Sequence, residues 1–125
     1  MATGYLFDSL YLQHVQRGHL EGPERLEAIN RALDETGIRK RLVPLAPQPI
    51  SIERLARVHH TRHIERVRSV AQRGGGGLAG MGDETYVAPR SYDAALLASG
   101  AVVTGVEAVL RGEVKILNVS LLGRE

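Results

Sequence analysis

The hydrophobic positions change their spacing several times along the chain, and each change marks a predicted element. Residues 4–7 form a short apolar run that ends at Asp8, which is typical of a partly buried first strand. Pro23 then begins a predicted helix, because its missing N–H costs least at the first helical position. Apolar residues recur behind it at helical spacing, at Leu26, Ile29 and Leu33. Gly37 suits the residue just after such a helix.

The middle of the chain alternates between extended and helical patterns. Residues 41–45 favour a second short strand, and three prolines keep the following connection extended, namely Pro44, Pro47 and Pro49. Ser51 is a good N-cap for a short helix that reaches Val58. Thr61 can cap the next helix, whose apolar stripe is Ile64, Val67 and Val70. A run of glycines then predicts a flexible loop over residues 74–82.

The last helix is apolar around most of its circumference. It is predicted from Ser91 or Tyr92 to about Arg111, and alanine, valine and leucine fill most of its positions. A helix of this kind must be covered on several sides. A chain of 125 residues has few other elements to cover it. We therefore expect the chain to be part of something larger or to associate.

The final segment alternates between apolar and polar positions. Leu117, Val119 and Leu121 are separated by Asn118 and Ser120, a pattern that suits a half-buried strand. We expect residues 116–122 to pair beside residues 4–7. The preceding helix should still keep an exposed apolar face, and such faces favour self-association.

Composition narrows the class of protein. With 43% hydrophobic and 4% aromatic residues, the chain is expected to fold as one domain around a mainly aliphatic core. It has no cysteine, which excludes a disulfide framework and a thiolate metal site. The N-terminus does not resemble a signal peptide, and the longest uncharged apolar stretch, residues 94–106, is too short to span a bilayer. We expect a cytoplasmic protein without a membrane partner.

Charge is unevenly distributed. The net charge is +2, but the stretch from Arg39 to Arg73 holds nine Arg or Lys residues against Glu53 and Glu65. Such a stretch can attract nucleic acid or an acidic partner. The simpler interpretation is a solvated helix face, since no nucleic-acid motif and no interleaved aromatic residues accompany it. No specific nucleic acid is expected.

Taken one at a time, the short motifs of the chain do not indicate a catalytic or ligand-binding site. His59 and His63 have the i, i+4 spacing that could hold a metal ion on one helical face, but no third ligand with fitting spacing follows. The glycine run lacks the Gly-Lys-Ser/Thr of a phosphate-binding loop. The serines show no nucleophile-elbow context. Taken alone, these patterns indicate only a helix-rich α/β unit.

The order of several short segments carries more information. A strand with Tyr5 is followed by Asp8 and His14, and residues 18–26 read Gly-His-Leu-Glu-Gly-Pro-Glu-Arg-Leu. Residues 82–86 read Gly-Asp-Glu-Thr-Tyr, and residues 91–101 read Ser-Tyr-Asp-Ala-Ala-Leu-Leu-Ala-Ser-Gly-Ala. This order resembles the N-terminal part of the zinc-dependent histone deacetylase and acetylpolyamine amidohydrolase family. The leucine in the Gly-His-Leu segment replaces that family's usual proline.

The resemblance implies a fold and a reaction. The expected fold is a truncated three-layer arginase/deacetylase-like α/β fold, helix-rich, with two or three short parallel strands. Full-length members hydrolyse the acetyl-amide bonds of lysine or polyamines. One zinc ion, held by two aspartates and a histidine, polarises the carbonyl and activates water. A histidine pair manages protons, and a tyrosine stabilises the oxyanion.

The motifs for that chemistry do not occur in this chain. The family continues with a strand and an Arg-Pro-Pro-Gly-His-His-Ala segment, which residues 116–125 do not resemble. The adjacent His59 and His60 lack the preceding Pro-Gly. We therefore divide the chain into a deacetylase-like part, residues 1–115, and a non-family tail, residues 116–125. A frame change, a premature stop, a domain splice or a cloning boundary would each produce such an ending.

Two functions follow for this chain. The first is an N-terminal deacetylase fragment without a catalytic residue, metal ligand or cofactor of its own, expected to be inactive alone, although its enzymatic status stays open. The second is a non-catalytic binding module that uses the basic surface of residues 39–73 for an acidic partner or nucleic acid.

Two site residues of the family correspond to residues present here. The acid at the substrate rim matches Asp83, with Glu84 as the alternative. A loop aspartate that makes an Asx-turn beside Gly82 would explain Asp83 equally well. The arginine that lines the family's internal channel matches Arg25, for which a surface arginine paired with an acid is the alternative.

Overall fold

The computed structural model describes residues 2–15, 22–78, 80–81 and 85–120. Within these residues the strands are β1 (Thr3–Leu6), β2 (Leu42–Leu45), β3 (Gly76–Gly77), β4 (Tyr86–Val87) and β5 (Ile116–Val119). The α-helices are α1 (Glu24–Glu35), α2 (Ile52–Leu55), α3 (Thr61–Gln72) and α4 (Ser91–Leu110). Two short 3-10 turns, Ser9–Gln13 and Ile38–Arg41, follow β1 and α1.

Three of the strands form a parallel sheet in the order β2-β1-β5. Thr3 lies opposite Leu42 on one side and Ile116 on the other, so β1 is the central strand. The predicted strands at residues 4–7 and 41–45 are confirmed within one residue. The predicted pairing of the final segment beside the first strand is also confirmed, over Ile116–Val119.

The glycine-rich segment differs from its prediction. A flexible loop was expected, but Gly76 and Gly77 pair antiparallel with Val87 and Tyr86 as β3 and β4. The backbone of Gly76 has φ +145, a conformation that glycine adopts without strain. Because glycine has no side chain, this short ladder left no periodic signal in the sequence.

Helix starts follow local hydrogen bonds. Ser51 caps α2 as predicted, since its hydroxyl accepts from the N–H of Arg54 at 3.2 Å. The helix ends at Leu55, earlier than the expected Val58. The N-cap of α3 is His60, not Thr61: its Nδ1 accepts from the N–H of Arg62 at 3.1 Å. The extended backbone of His60, φ −63 and ψ 134, places that nitrogen at the helix start.

Helix α4 is the central helix of the fold and packs through small residues. Its buried positions are Ser91, Ala94, Gly100, Ala101, Gly105 and Ala108. A methyl group on Gly105 would lie 2.7 Å from Cδ1 of Leu117, so the helix backbone rests directly on the sheet. By length and composition α4 could cross a membrane, with a mean hydropathy of 1.5, because the helix extends beyond the uncharged stretch of residues 94–106.

The sheet is covered on both faces. Gly4, Leu6 and Leu117 share the face that α4 covers, as their contacts with Gly105 and with one another show. Tyr5 points to the opposite face, where its hydroxyl donates to Oδ1 of Asn30 in α1 at 3.0 Å. This arrangement of helix, sheet and helix is the expected three-layer α/β architecture.

Candidate functional site

The carboxyl end of β1 leads into a tightly fixed turn. Oδ1 of Asp8 accepts from the N–H of Leu10 at 2.8 Å and thereby caps the turn Ser9–Gln13. Tyr11 in this turn is fully buried, and its hydroxyl donates to the carbonyl of Leu97 in α4 at 3.3 Å. Its ring also packs with Leu26 of α1 and Ala94 of α4. The turn is therefore anchored on two helices before the chain reaches His14.

His14 joins three elements at this end of the sheet. Its Nδ1 lies 2.6 Å from Oγ of Ser91, the first residue of α4. Its ring stacks on Tyr86 of β4, with ring centroids 5.0 Å apart and planes inclined by 17°. We call His14, Tyr86 and Ser91 the histidine cluster. In open α/β sheets, ligands bind outside the carboxyl ends of the strands, and the cluster lies at that edge.

Ser91 positions the imidazole and is not itself exposed for reaction. Only 5% of Ser91 is accessible to solvent. Its Oγ accepts from the N–H of Ala88 at 2.7 Å, while its own N–H donates to the carbonyl of Ala88 at 3.0 Å. With one lone pair used in this way, the hydroxyl can still exchange a hydrogen bond with His14. The two hydrogen bonds between Ser91 and Ala88 fix the start of α4. The contact between Ser91 and His14 fixes the orientation of the imidazole ring.

The phenols near the cluster stay protonated. Burial, and then the negative charge of Asp8, raise the pKa of Tyr11 to about 12. Burial also raises the pKa of Tyr86. Both phenols are therefore protonated and neutral at physiological pH.

The site residues predicted by resemblance are only partly placed. Asp83 and its alternative Glu84 lie outside the described residues. Arg25 lies in the first turn of α1 and is exposed. Its channel role stays a prediction.

The described residues do not fit a zinc site of the family type. A catalytic zinc needs about three protein ligands, and no group of three His, Cys, Asp or Glu side chains within the described ranges could hold a metal ion. His59 and His63 do lie side by side, with ring centroids 5.9 Å apart. No step of the chemistry is therefore assigned to a metal here.

Much of the basic stretch is exposed, and several of its arginines are paired. Arg39 pairs with Asp34, Arg54 with Glu107 at 3.2 Å, and Arg68 with Glu65 at 3.5 Å. An open cleft of about 530 Å³ lies beside the starts of α3 and α4. Its lining residues are Ile52, His60, Thr61, Arg62, Ile64, Glu65, Arg68 and Tyr92. The lining combines apolar, basic and acidic side chains.

Sequence reasoning missed the contacts of the histidine cluster. His14 was noticed only through the resemblance, and its partner Ser91 is 77 positions away in the chain. No local spacing could have joined them. The signal that existed was a polar residue at the start of an otherwise apolar helix, which was interpreted only as a helix start.

The parallel sheet and its two helical layers define a three-layer α/β protein, with a histidine at the carboxyl edge of the sheet. A family model described as the histone deacetylase domain matches residues 19–122. The chain belongs to the histone deacetylase family.

Individual relatives agree with this assignment. The histone deacetylase-like amidohydrolase of Pseudomonas aeruginosa is 32% identical over 89% of this chain and 33% of that protein. The polyamine deacetylase HDAC10 of Homo sapiens is 34% identical over 77% of this chain and 15% of that protein. The crystal structure of the HDA15 HD domain superposes with a TM-score of 0.87 at 27% identity, covering 98% of this chain and 36% of that one.

The chain spans about a third or less of the length of the curated relatives it matches. The family match ends at residue 122 and so includes β5. The division of the chain at residue 115 stays a prediction.

Proposed function

We propose that this chain forms the N-terminal part of a zinc-dependent deacetylase domain and has no hydrolytic activity alone. The substrates of the whole domain would be N-acetyl-lysine or acetylpolyamine amides. The observation that carries this proposal is the superposition on the HDA15 HD domain, with a TM-score of 0.87 over 98% of the chain. The expected inactivity rests on the missing histidine pair and zinc ligands in the sequence.

The chain's own contribution would be structural and positional. The turn after β1 and the histidine cluster would form one wall of the site at the carboxyl edge of the sheet. Zinc would supply carbonyl polarisation and an activated water when bound. Its ligands would have to come from residues that this chain lacks, because the described side chains bring no three potential ligands together.

The direct test measures turnover and zinc on the purified chain. The chain is loaded with zinc, dialysed, and assayed for acetate release from an acetyl-lysine peptide and an acetylated polyamine. We expect no release above buffer and no stoichiometric zinc, because about three ligands are required. The Pseudomonas aeruginosa amidohydrolase serves as the positive control.

One result would overturn this proposal. A single tightly held zinc per chain, together with turnover of either substrate, would show that the chain assembles an active site without the family's motifs. Zinc held without turnover would overturn only the expected absence of a metal site.

A non-catalytic binding module is the second candidate. The observation that favours it is the set of exposed basic side chains around α2 and α3, beside the open cleft. An acidic protein segment or a nucleic acid would bind these basic side chains by electrostatic attraction. The ion pairs that Arg54 and Arg68 already make reduce the charge available for such a partner.

A further inference from the structure

Three histidines lie close together in the chain where α2 gives way to α3. His59 lies in the bend that follows α2, His60 caps α3, and His63 lies in the first turn of α3. The N–H of His59 donates to the carbonyl of Leu55 at 3.0 Å, and the N–H of His63 donates to the carbonyl of His60 at 2.9 Å. These bonds fix the backbone at both outer histidines. Their rings lie side by side, with centroids 5.9 Å apart and planes inclined by 33°.

The three imidazoles differ in what they already bind. Nδ1 of His60 accepts from the N–H of Arg62 at 3.1 Å, so this nitrogen is used by the helix cap. Among the described residues, the side chains of His59 and His63 make no hydrogen bond. His59 is exposed and His63 is half-buried. The ring nitrogens of these two histidines can therefore bind a ligand without breaking a hydrogen bond of the fold.

The distance between the two rings suits one metal ion shared by both. An ion bound about 2.0–2.1 Å from one nitrogen of each ring places the ring centroids roughly 4.5–6.4 Å apart, depending on the angle at the ion. The observed 5.9 Å lies within this range. Neutral imidazole is a good ligand for copper, nickel and zinc, and among divalent first-row ions such sites bind copper(II) most tightly.

Nearby positive charge limits how tightly a cation can bind here. Arg62 directly precedes His63, and Arg66 lies one turn further along α3. The N-terminal end of a helix also carries partial positive charge. Two imidazoles are fewer than the roughly three protein ligands that hold a catalytic zinc. The pair therefore suits an exchangeable ion, and zinc bound in this way would be lost on dialysis.

We propose that His59 and His63 form a two-histidine site for a divalent transition-metal ion, with copper(II) bound more tightly than nickel(II) or zinc(II). Each histidine supplies one ring nitrogen, and water fills the remaining coordination positions. The bound ion ties the bend after α2 to the first turn of α3 and thereby stabilises the junction of the two helices. This inference does not rest on the proposed function, which uses neither histidine.

Titration of the purified chain with copper(II), followed by calorimetry and electron paramagnetic resonance, tests the site. We expect nitrogen couplings from two imidazoles at the tightest copper site. His59→Gln and His63→Gln each remove one of the two ligands and should weaken copper binding by at least about tenfold, since even losing a partner of a ligand commonly costs that much.

His60→Asn is the matched control. It removes the neighbouring imidazole, while asparagine remains a good N-cap for α3. Its copper affinity should equal that of wild type. His59 is exposed, so His59→Gln should stay folded, and far-ultraviolet circular dichroism of each variant checks this.

The pH provides a second readout that needs no mutation. Both rings must be deprotonated to bind the ion, so copper affinity should fall steeply as the pH is lowered from about 7.5 to about 5.5. Equal weakening by His60→Asn would overturn the proposal, and so would nitrogen coupling from a single ring. If the double variant His59→Gln/His63→Gln binds copper as tightly as wild type, copper on this chain is an adventitious ion only and the proposal is wrong.

Discussion

At the scale of single residues, a few buried polar groups determine how the start of α4 meets the turn after β1. Ser91 satisfies the N–H of Ala88 and contacts His14, while Tyr11 satisfies a carbonyl of α4. Each group is buried or half-buried, so losing a partner costs more than the bond itself contributes. Single side chains can therefore be tested with clear expectations.

We expect Ser91→Ala to lower the free energy of unfolding by about 1–3 kcal/mol, because the N–H of Ala88 and the ring of His14 both lose a partner. Urea denaturation followed by circular dichroism measures this change. Ser9→Ala is the control, since Ser9 is an exposed serine whose replacement should change stability by less than about 0.5 kcal/mol. Equal effects of the two substitutions would contradict the positioning role of Ser91.

Burial of the Tyr11 phenol makes the free energy of unfolding depend on pH in a direction that can be stated. The pKa of Tyr11 is raised from 10.0 to about 12 in the folded chain, so the folded state holds this proton more tightly than the unfolded state. The resulting stabilisation, roughly 2 kcal/mol, is complete below pH 10 and is lost as pH rises toward 12. Tyr11→Phe should flatten this part of the stability profile.

Urea midpoints measured across the alkaline range test this expectation. The urea midpoints of wild type and Tyr11→Phe should differ by a constant amount between neutral pH and the onset of phenol ionisation. Above that pH the difference between the two midpoints should shrink. Parallel curves throughout would show that ionisation of Tyr11 does not contribute to alkaline unfolding.

At the scale of elements, the sequence predicted what depends on local patterns. The apolar run at residues 4–7 and the long apolar helix have their expected structure, and the strand predicted over residues 116–122 is present over Ile116–Val119. Two kinds of feature were missed: contacts between residues far apart in the chain, and pairing between glycines, which have no side chain. The β3–β4 ladder involves glycines without periodicity, and the contact of His14 with Ser91 requires the finished fold.

The cap of α3 shows the same limit on a smaller scale. Thr61 is a residue type that favours caps, and it was expected to cap the helix. The backbone turns one residue earlier, so His60 caps and Thr61 is the first helical residue. Residue type alone does not fix where the backbone leaves the extended conformation.

Two glycines of α4 should respond differently to the same substitution. A methyl group on Gly100 would lie 1.7 Å from the carbonyl oxygen of Gln48, which is backbone and cannot turn away. At Gly105 the nearest atom, 2.7 Å away, is the end of the Leu117 side chain, which can rotate. We expect Gly100→Ala to destabilise by about 2–4 kcal/mol.

Gly105→Ala is the matched control in the same helix. Its gain in helix propensity, about 1 kcal/mol, should offset much of the shift required of Leu117. Thermal and urea denaturation of both variants measure the difference. Similar stabilities for the two variants would mean that the segment after β2 can move away from α4.

At the scale of the whole molecule, the fold matches one part of a longer domain. The chain has a complete pair of helical layers around a short sheet, but its match covers only 36% of the HDA15 domain chain. Among the described residues, β5 pairs only with β1, and Val106 and Leu110 of α4 are exposed. The family was predicted from the order of several short motifs, whereas the nearly all-apolar helix predicted only that the chain belongs to something larger or associates, because such a helix requires cover on several sides.

The charge distribution leads to an expectation for the whole surface. The basic stretch from Arg39 to Arg73 exceeds its acids by seven charges, whereas the whole chain carries only +2. Ion pairs within the fold occupy part of this excess. We therefore expect duplex DNA to bind weakly, without sequence preference and with a strong dependence on salt. If about three phosphates are contacted, affinity should fall roughly 40-fold between 50 and 200 mM salt.

Fluorescence anisotropy with two labelled duplexes of unrelated sequence measures this binding. Replacing three exposed arginines of the basic stretch, Arg57, Arg62 and Arg73, by glutamine should reduce both the affinity at low salt and the steepness of the salt dependence. The matched control replaces three exposed arginines outside it, Arg25, Arg31 and Arg111, and should have a smaller effect on both. Sub-micromolar binding that survives physiological salt and prefers one duplex would instead favour the binding-module function, because exposed phosphate contacts alone give neither property.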